Sequence, residues 1–277
     1  MSLEDIMVTK NIRLGSTELK LILTLEEEEK SIFTTADAYR ILKSTKDSVN
    51  TSLYRLRKKG RVEKIERGKY LLIPAKAGYK GKWAEVPFVI ANHLVKPYYI
   101  GFASALNYWG MTEQVPSVTF VVTTKRKDNI KFGPLTFKFV TITKKRFFGT
   151  VDGNVGNDSF NVSDKEKTII DCLLHPEYCG GLDEVAKAIW EEGDELDFRK
   201  LFEYARDIKV SVVIRRLLYL LDILKMNKKI KNTTEMLKPK GLLLLDPSWP
   251  KENVEYSHEY GLILNRTKDS LTRWMKH

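Results

Sequence analysis

The sequence predicts an α+β protein, with an N-terminal winged helix-turn-helix followed by a mixed α/β C-terminal domain that contains a helical subregion. Three observations carry this reading. Helical apolar spacing gives way to a two-strand pattern between Ser16 and Pro74. Twelve bases stand against three acids between Lys43 and Lys80. Further along, strand-like runs and amphipathic helical runs share the chain.

Composition sets the outer bounds. With 277 residues, 43% hydrophobic and 30% charged, the chain is neither disordered nor collagen-like. This length predicts two domains, set at 1–78 and 79–277, with the helical subregion at 163–230. A net charge of +11 favours a polyanionic partner, either nucleic acid or an acidic membrane face. Two cysteines, Cys172 and Cys179, are too few for a stapled secreted scaffold, and a reducing, cytoplasmic setting is expected. The first fifteen residues mix acids and bases and lack the pattern of a secretory signal. The longest apolar run, Val210 to Met226, is broken by Arg215, Arg216 and Asp222; it reads as a buried core helix and no membrane partner is expected.

Ser16 is placed to cap a first helix through Glu18, Leu19, Leu21, Ile22 and Leu25. The acidic run Glu26 to Glu29 has the wrong sign for a helix carboxyl end and is expected to be solvated. Phe33 and Thr34 read as extended. Thr35 then caps a compact helix, Ala36 to Leu42, with Ala38, Ile41 and Leu42 inward. A Lys43-Ser44-Thr45 link leads to a second helix, Lys46 to Lys59, stopped by Gly60, and two helices so joined form a helix-turn-helix unit.

At about 100° per residue, Val49, Leu53 and Leu56 share the core side of that second helix. The opposite face carries Asp47, Ser48, Thr51, Tyr54, Arg55 and Lys58, flanked by Asn50 and Arg57. Short polar tips reach base edges in a major groove, while Lys and Arg reach phosphates. The next segment, Arg61 to Pro74, alternates apolar and polar residues on either side of Arg67-Gly68 and reads as a β-hairpin. Its tip would lay Arg67 and Lys69 along a sugar-phosphate backbone. The candidate DNA-binding residues are therefore Lys46, Ser48, Asn50, Thr51, Tyr54, Arg55, Arg57, Lys58, Arg61, Arg67 and Lys69.

Ala75 to Lys82, rich in Gly and Lys, reads as a linker. A helix is expected from about Pro87 to Val95, and a short helix over Tyr98 to Gly110 with core aromatics. Strand candidates are Val118 to Thr123, Leu135 to Ile142 and Phe160 to Val162. Ser163 and Glu166 form a capping-box pattern that opens a helix through Ile169, Ile170, Leu173 and Leu174. Helices Leu182 to Glu192, Leu196 to Asp207 and Val210 to Met226 follow, then short strands at Leu242 to Asp246 and Leu262 to Asn265.

The winged-helix start, the segment YYIGFASALNYWGMTEQVPSVTFVVT and the later FNVSDKEKTIIDCLL together resemble the AbiEi family of antitoxins and transcriptional regulators. The resemblance implies a DNA-binding amino-terminal domain that represses its own operon and a carboxy-terminal domain responsible for antitoxin action. It also implies a nucleotidyltransferase toxin of a type IV system as functional partner, countered without a stable complex. By position, the DNA-binding role falls on Lys46 to Lys59 and the wing; the family supplies no catalytic set.

Other chemistry was weighed on the residues. Cys172, His175 and Cys179 lack a fourth ligand for a structural zinc site; no other Cys exists to supply it, although His93 or His258 could in principle complete the set, and a core cluster is expected. A metal-dependent nuclease on a restriction-endonuclease-like fold needs carboxylates on central strands, and the runs Val118 to Thr123 and Leu135 to Ile142 contain none. Asp128, Asp152, Asp158 and Asp164 are expected in loops or caps, where solvation explains them. No phosphate-cradling P-loop or nucleophile elbow occurs. The expectation is a non-enzymatic DNA-binding protein without cofactor or metal; the alternatives are a nuclease-like enzyme and a winged-helix regulator that senses a small ligand.

Overall fold

A computed structural model describes residues 13–73, 86–132, 135–155, 158–226, 240–252 and 254–276. The chain divides into two compact units: Met1–Ala84 with Ile130–Leu135, and Glu85–Asn129 with Thr136–His277. The expected linker, Pro74 and His277 lie outside the described residues. Among the described residues no helix is long and apolar enough to cross a membrane.

The first unit runs α1 (Ser16–Glu27), β1 (Ile32–Thr34), α2 (Thr35–Leu42), α3 (Lys46–Lys58), β2 (Val62–Glu66) and β3 (Lys69–Leu72). The strands form an antiparallel sheet in the order β1-β3-β2, with Phe33 opposite Tyr70 and Val62 opposite Leu72. Leu21, Ile22 and Leu25 of α1, Ala38, Ile41 and Leu42 of α2, and Val49, Leu53 and Leu56 of α3 join Phe33, Val62 and Leu72 in one core. Helix periodicity thus read the inward faces correctly, and the unit is consistent with a winged helix-turn-helix.

Both N-caps of the first two helices sit one residue earlier than expected. At α1 the cap is Gly15, whose N–H donates to Glu18 Oε2 at 2.7 Å. At α2 the cap is Thr34: its hydroxyl accepts from Asp37 N at 3.2 Å, and its own N–H donates to the Asp37 carboxylate at 2.7 Å. The acid at the third helical position decides the boundary, because only that spacing lets cap and acid satisfy each other's backbone N–H groups. Helix α3 ends at Lys58, with Lys59 as its C-cap and Gly60 at φ +66° just beyond.

The rest of the chain runs α4 (Val86–Leu94), β4 (Tyr98–Ile100), α5 (Phe102–Tyr108), β5 (Thr119–Thr123), β6 (Ile130–Phe132), β7 (Leu135–Thr141), β8 (Thr150–Val155), β9 (Asp158–Ser163), α6 (Lys165–Leu174), α7 (Leu182–Glu191), α8 (Phe198–Asp207), α9 (Ser211–Ile223), β10 (Leu243–Leu244), β11 (Glu255–Ser257), β12 (Leu262–Leu264) and α10 (Lys268–Leu271); all but β6 and the first residue of β7 belong to the second unit. The six-stranded sheet has the order β6-β7-β5-β4-β9-β8, with β5 parallel to β7 and β4 antiparallel to β5.

Tyr98–Ile100 is therefore a sheet strand, where the sequence predicts the start of a helix. Its residues are buried, and the helix begins only after Gly101. A Cβ at Gly101 would stand 2.8 Å from Val122 Cγ2, so the residue is small because two chain segments meet there. Strands β6, β8 and β11 are likewise absent from the sequence reading, β8 because its TVDGNV sequence lacks an apolar alternation.

At α6 the cap is Asp164, whose Oδ1 accepts from Lys167 N at 2.7 Å; Ser163, the expected cap, instead donates to Ile100 O at 3.3 Å. Helices α6 to α9 bury Ile169, Leu173, Val185, Ile189, Leu201, Leu217 and Leu221 in the core that also takes Tyr99, Val122 and Val140 from the sheet. Helix α9 is the predicted core helix, and the two arginines that interrupt its apolar run are buried too. Arg215 Nη1 donates to Gly241 O and Gly261 O, both at 2.9 Å, and Arg216 donates to Leu173 O at 2.6 Å and Leu245 O at 2.7 Å.

Candidate nucleic-acid interface

The α3 helix is fixed from both ends. Thr45 caps it by accepting from Ser48 N at 3.4 Å, and Lys59 at its carboxyl end reaches the buried Glu18 of α1 at 2.5 Å. Ser52 is turned inward and donates to Ser48 O at 3.0 Å. With Val49, Leu53 and Leu56 buried, the opposite face is left bare. Lys46, Asp47, Asn50, Thr51, Tyr54, Arg55, Arg57 and Lys58 are all exposed, and Ser48 is half-buried. The structure thus brings eight of the eleven predicted residues onto one helix, polar tips at its start and cations at its end.

Two of these side chains are organised together. The Lys58 ammonium lies 5.0 Å from the centroid of the Tyr54 ring, and a hydrogen bond with the Tyr54 hydroxyl raises the lysine pKa. Tyr54 is 54% exposed. A flat aromatic body with a polar tip in that position suits contact with a groove wall.

The hairpin tip is anchored to the start of α2, where Thr35 N donates to Gly68 O at 2.9 Å. Arg67 is exposed beside it. Lys69 is not free: it pairs with Glu66 across the turn at 2.7 Å. Arg61 departs further from expectation. Its guanidinium stands 3.7 Å from Glu26 and its Nε donates to Ile73 O at 3.3 Å, so it braces the fold. The same ion pair corrects the reading of the glutamate run as merely solvated, since Glu28 also holds Arg40 through two hydrogen bonds of 2.8 and 2.6 Å. Lys43 in the interhelical link and Lys64 on β2, both counted in the basic segment but not among the candidate DNA-binding residues, are exposed as well; Lys43 adopts a left-handed backbone at φ +47°, and Lys64 lies between the buried Val62 and Ile65 of its strand.

The second unit buries several of its charged side chains. Lys167 is fully buried, pairs with Asp171 and donates to Tyr99 Oη at 3.1 Å. Asp164 is buried, not solvated: it takes Tyr204 Oη at 3.0 Å and Lys200 Nζ at 3.1 Å. Lys200 also reaches Glu166 at 2.9 Å, and these hydrogen bonds raise its pKa against the opposing effect of burial. Asp152 and Asp158 lie on strands β8 and β9, outside the loops and caps expected for them. Among the described residues no group of three or more His, Cys, Asp and Glu is placed to hold a metal ion. Cys172 and Cys179 are buried free thiols, and His175 stacks on Tyr178 with centroids 5.5 Å apart, which is the core cluster expected. A cleft of about 350 Å³ opens among Leu106, Thr112, Val115, Phe120, Tyr178 and Cys179.

Residues 20–73 match the family model described as transcriptional regulator, AbiEi antitoxin, so the resemblance read from sequence holds over the helix-turn-helix and hairpin. No curated protein sequence matches the chain. In fold, it is similar to the crystal structure of the RV2827C protein from Mycobacterium tuberculosis, with a TM-score of 0.71 over 96% of each chain at 12% identity. That similarity is one of architecture, extending through both units.

Proposed function

We propose that the chain is a sequence-selective double-stranded DNA-binding regulator that represses its own operon and serves as the antitoxin of a type IV toxin-antitoxin system. Its functional partner is a nucleotidyltransferase toxin, which it opposes without a stable complex and without an enzymatic activity of its own, in the cytoplasm. The observation that carries the DNA-binding part is the uncovered face of α3, with hydrogen-bonding tips at its start and cations at its end, beside an exposed Arg67 at the hairpin tip. The match of residues 20–73 to a family model of transcriptional regulators and antitoxins supports the regulatory and antitoxin parts.

In this reading α3 enters the major groove, Ser48, Asn50 and Thr51 approach base edges, and Lys46, Arg55, Arg57 and Lys58 meet phosphates on either side. The hairpin lays Arg67 along the adjacent backbone, with Lys69 contributing once its pairing with Glu66 yields to a phosphate. An electrophoretic mobility shift with the duplex upstream of the chain's own reading frame tests this. A retarded band that survives competition by random duplex is expected, and its absence overturns the reading. Co-expression with a neighbouring nucleotidyltransferase tests the antitoxin part, for which restored growth is expected.

The cleft beside Phe120 and Tyr178 favours a second reading, a regulator whose second unit senses a small ligand. A metabolite-dependent change in operator affinity would support it.

A further inference from the structure

We propose that Asp47 is a specificity-determining residue, an acceptor that selects an exocyclic amino group, cytosine N4, in the major groove; this rests on the DNA-binding reading above. The placement argues for it. Counting 100° per residue from the buried Val49, Leu53 and Leu56, Asp47 falls at the middle of the outer face, in line with Thr51, Tyr54 and Lys58. It lies in the first turn of α3, and recognition helices contact base edges with their amino-terminal residues. Its carboxylate is exposed, and the structure gives it no cationic partner among the described residues.

An unpaired carboxylate on a surface meant for a polyanion costs affinity through repulsion by every nearby phosphate. Deep in the groove the same group accepts hydrogen bonds and cannot donate, so it fits the cytosine amine and is repelled by the acceptor edges of guanine and thymine. Four other acids of the first unit serve its structure: Glu18 holds Lys59, Glu26 faces Arg61, Glu28 holds Arg40 and Asp37 closes the α2 cap. Asp47 alone among these stands on the bare face of α3. Stabilising the amino end of the helix dipole is the role a merely structural acid would have there, and the two roles separate experimentally.

The test uses the full chain and the duplex upstream of its own reading frame, carried as a library of single base-pair substitutions, with random duplex as competitor. Wild type, Asp47→Ala and Asp47→Asn are compared for affinity at each position and for melting temperature. In Asp47→Ala, discrimination at one cytosine-bearing position is expected to fall by on the order of 10- to 100-fold, while affinity for random duplex rises. Asp47→Asn is expected to shift the preferred base there toward adenine, whose N6 and N7 suit an amide. A profile unchanged in both variants, with wild type still preferring its upstream duplex, overturns the role of Asp47 and leaves the DNA-binding reading standing. If wild type shows no preference at all, both fall. A lowered melting temperature with an unchanged profile assigns Asp47 to the helix dipole and also overturns the proposal.

Discussion

Lys59, just past the end of α3, reaches back 2.5 Å to the Oε2 of Glu18 at the start of α1, a residue only 3% exposed. That oxygen also accepts the N–H of Gly15, while Oε1 has no hydrogen-bond partner among the described residues. The pair ties the carboxyl end of α3 to the start of α1. Removing the lysine would strand a buried charge, so Lys59→Ala is expected to destabilise the first unit by about 1 to 3 kcal/mol. Thermal melts check this, and Glu18→Gln placed on top of it should restore part of the loss.

The Asp37 carboxyl is held at about 2: burial pushes it up, and the hydrogen bonds from Lys30 and Thr34 outweigh that. A carboxyl depressed in the folded state adds stability above its unfolded value near 3.8, and that stability is lost as pH falls toward 2. The contribution is about 2 kcal/mol, from the cost of about 1.4 kcal/mol per unit. Urea midpoints from pH 5 to pH 2 should fall more in wild type than in Asp37→Asn, which lacks the titrating group; parallel curves would show that the cap is not ionic.

The wing is less cationic in effect than its composition. Arg67→Ala is expected to lower the slope of log affinity against log salt by roughly one unit, as for one lost phosphate contact. Arg61→Ala, which removes the contacts to Glu26 and Ile73, should leave that slope unchanged and lower the melting temperature. Lys69→Ala falls between, because Glu66 already holds the ammonium at 2.7 Å. Anisotropy titrations across a salt series separate the three.

Much of this was legible in the chain itself, and what was missed has identifiable causes. The inward faces of α1 to α3 were readable because one buried stripe obeys one period, and Val49, Leu53 and Leu56 are at most 2% exposed. The caps at Gly15, Thr34 and Asp164 were misplaced by one residue, since neighbouring Ser or Thr residues compete and the distant partner decides. Tyr98–Ile100 was hidden as a strand because it is buried on both faces and so shows no alternation. The pairings of Arg61 with Glu26 and of Arg40 with Glu28 join residues 35 and 12 positions apart, contacts that local patterning does not encode.

Arg216 is buried in the second unit, and desolvation lowers its pKa to about 10. It ties the end of α6 to Leu244, the last residue of β10, and to Leu245 just beyond it. Arg216→Ala would leave those carbonyls unpaired, and a loss of more than about 3 kcal/mol is expected. Proteolysis should then release the carboxy-terminal segment first.

Burial pushes the Cys179 thiol well up, and its hydrogen bond with Cys172 adds to this. At neutral pH Cys172 should resist a disulfide reagent until the protein unfolds, and Cys179, at the wall of the cleft but only 4% exposed, should react slowly in the native protein. Rapid reaction of either in native buffer would contradict the packing described.

The central claim is that the bare face of α3 selects a duplex by its bases. The most direct measurement is the affinity of the full chain for its own upstream duplex and for a scrambled duplex of equal length, in wild type and in Asn50→Ala/Thr51→Ala, at matched salt. The account predicts wild-type preference of at least about 1,000-fold, cut by on the order of 10- to 100-fold in the double variant, with scrambled-duplex affinity unchanged. Equal affinity for both duplexes in wild type, or a preference that survives intact in the double variant, would contradict it.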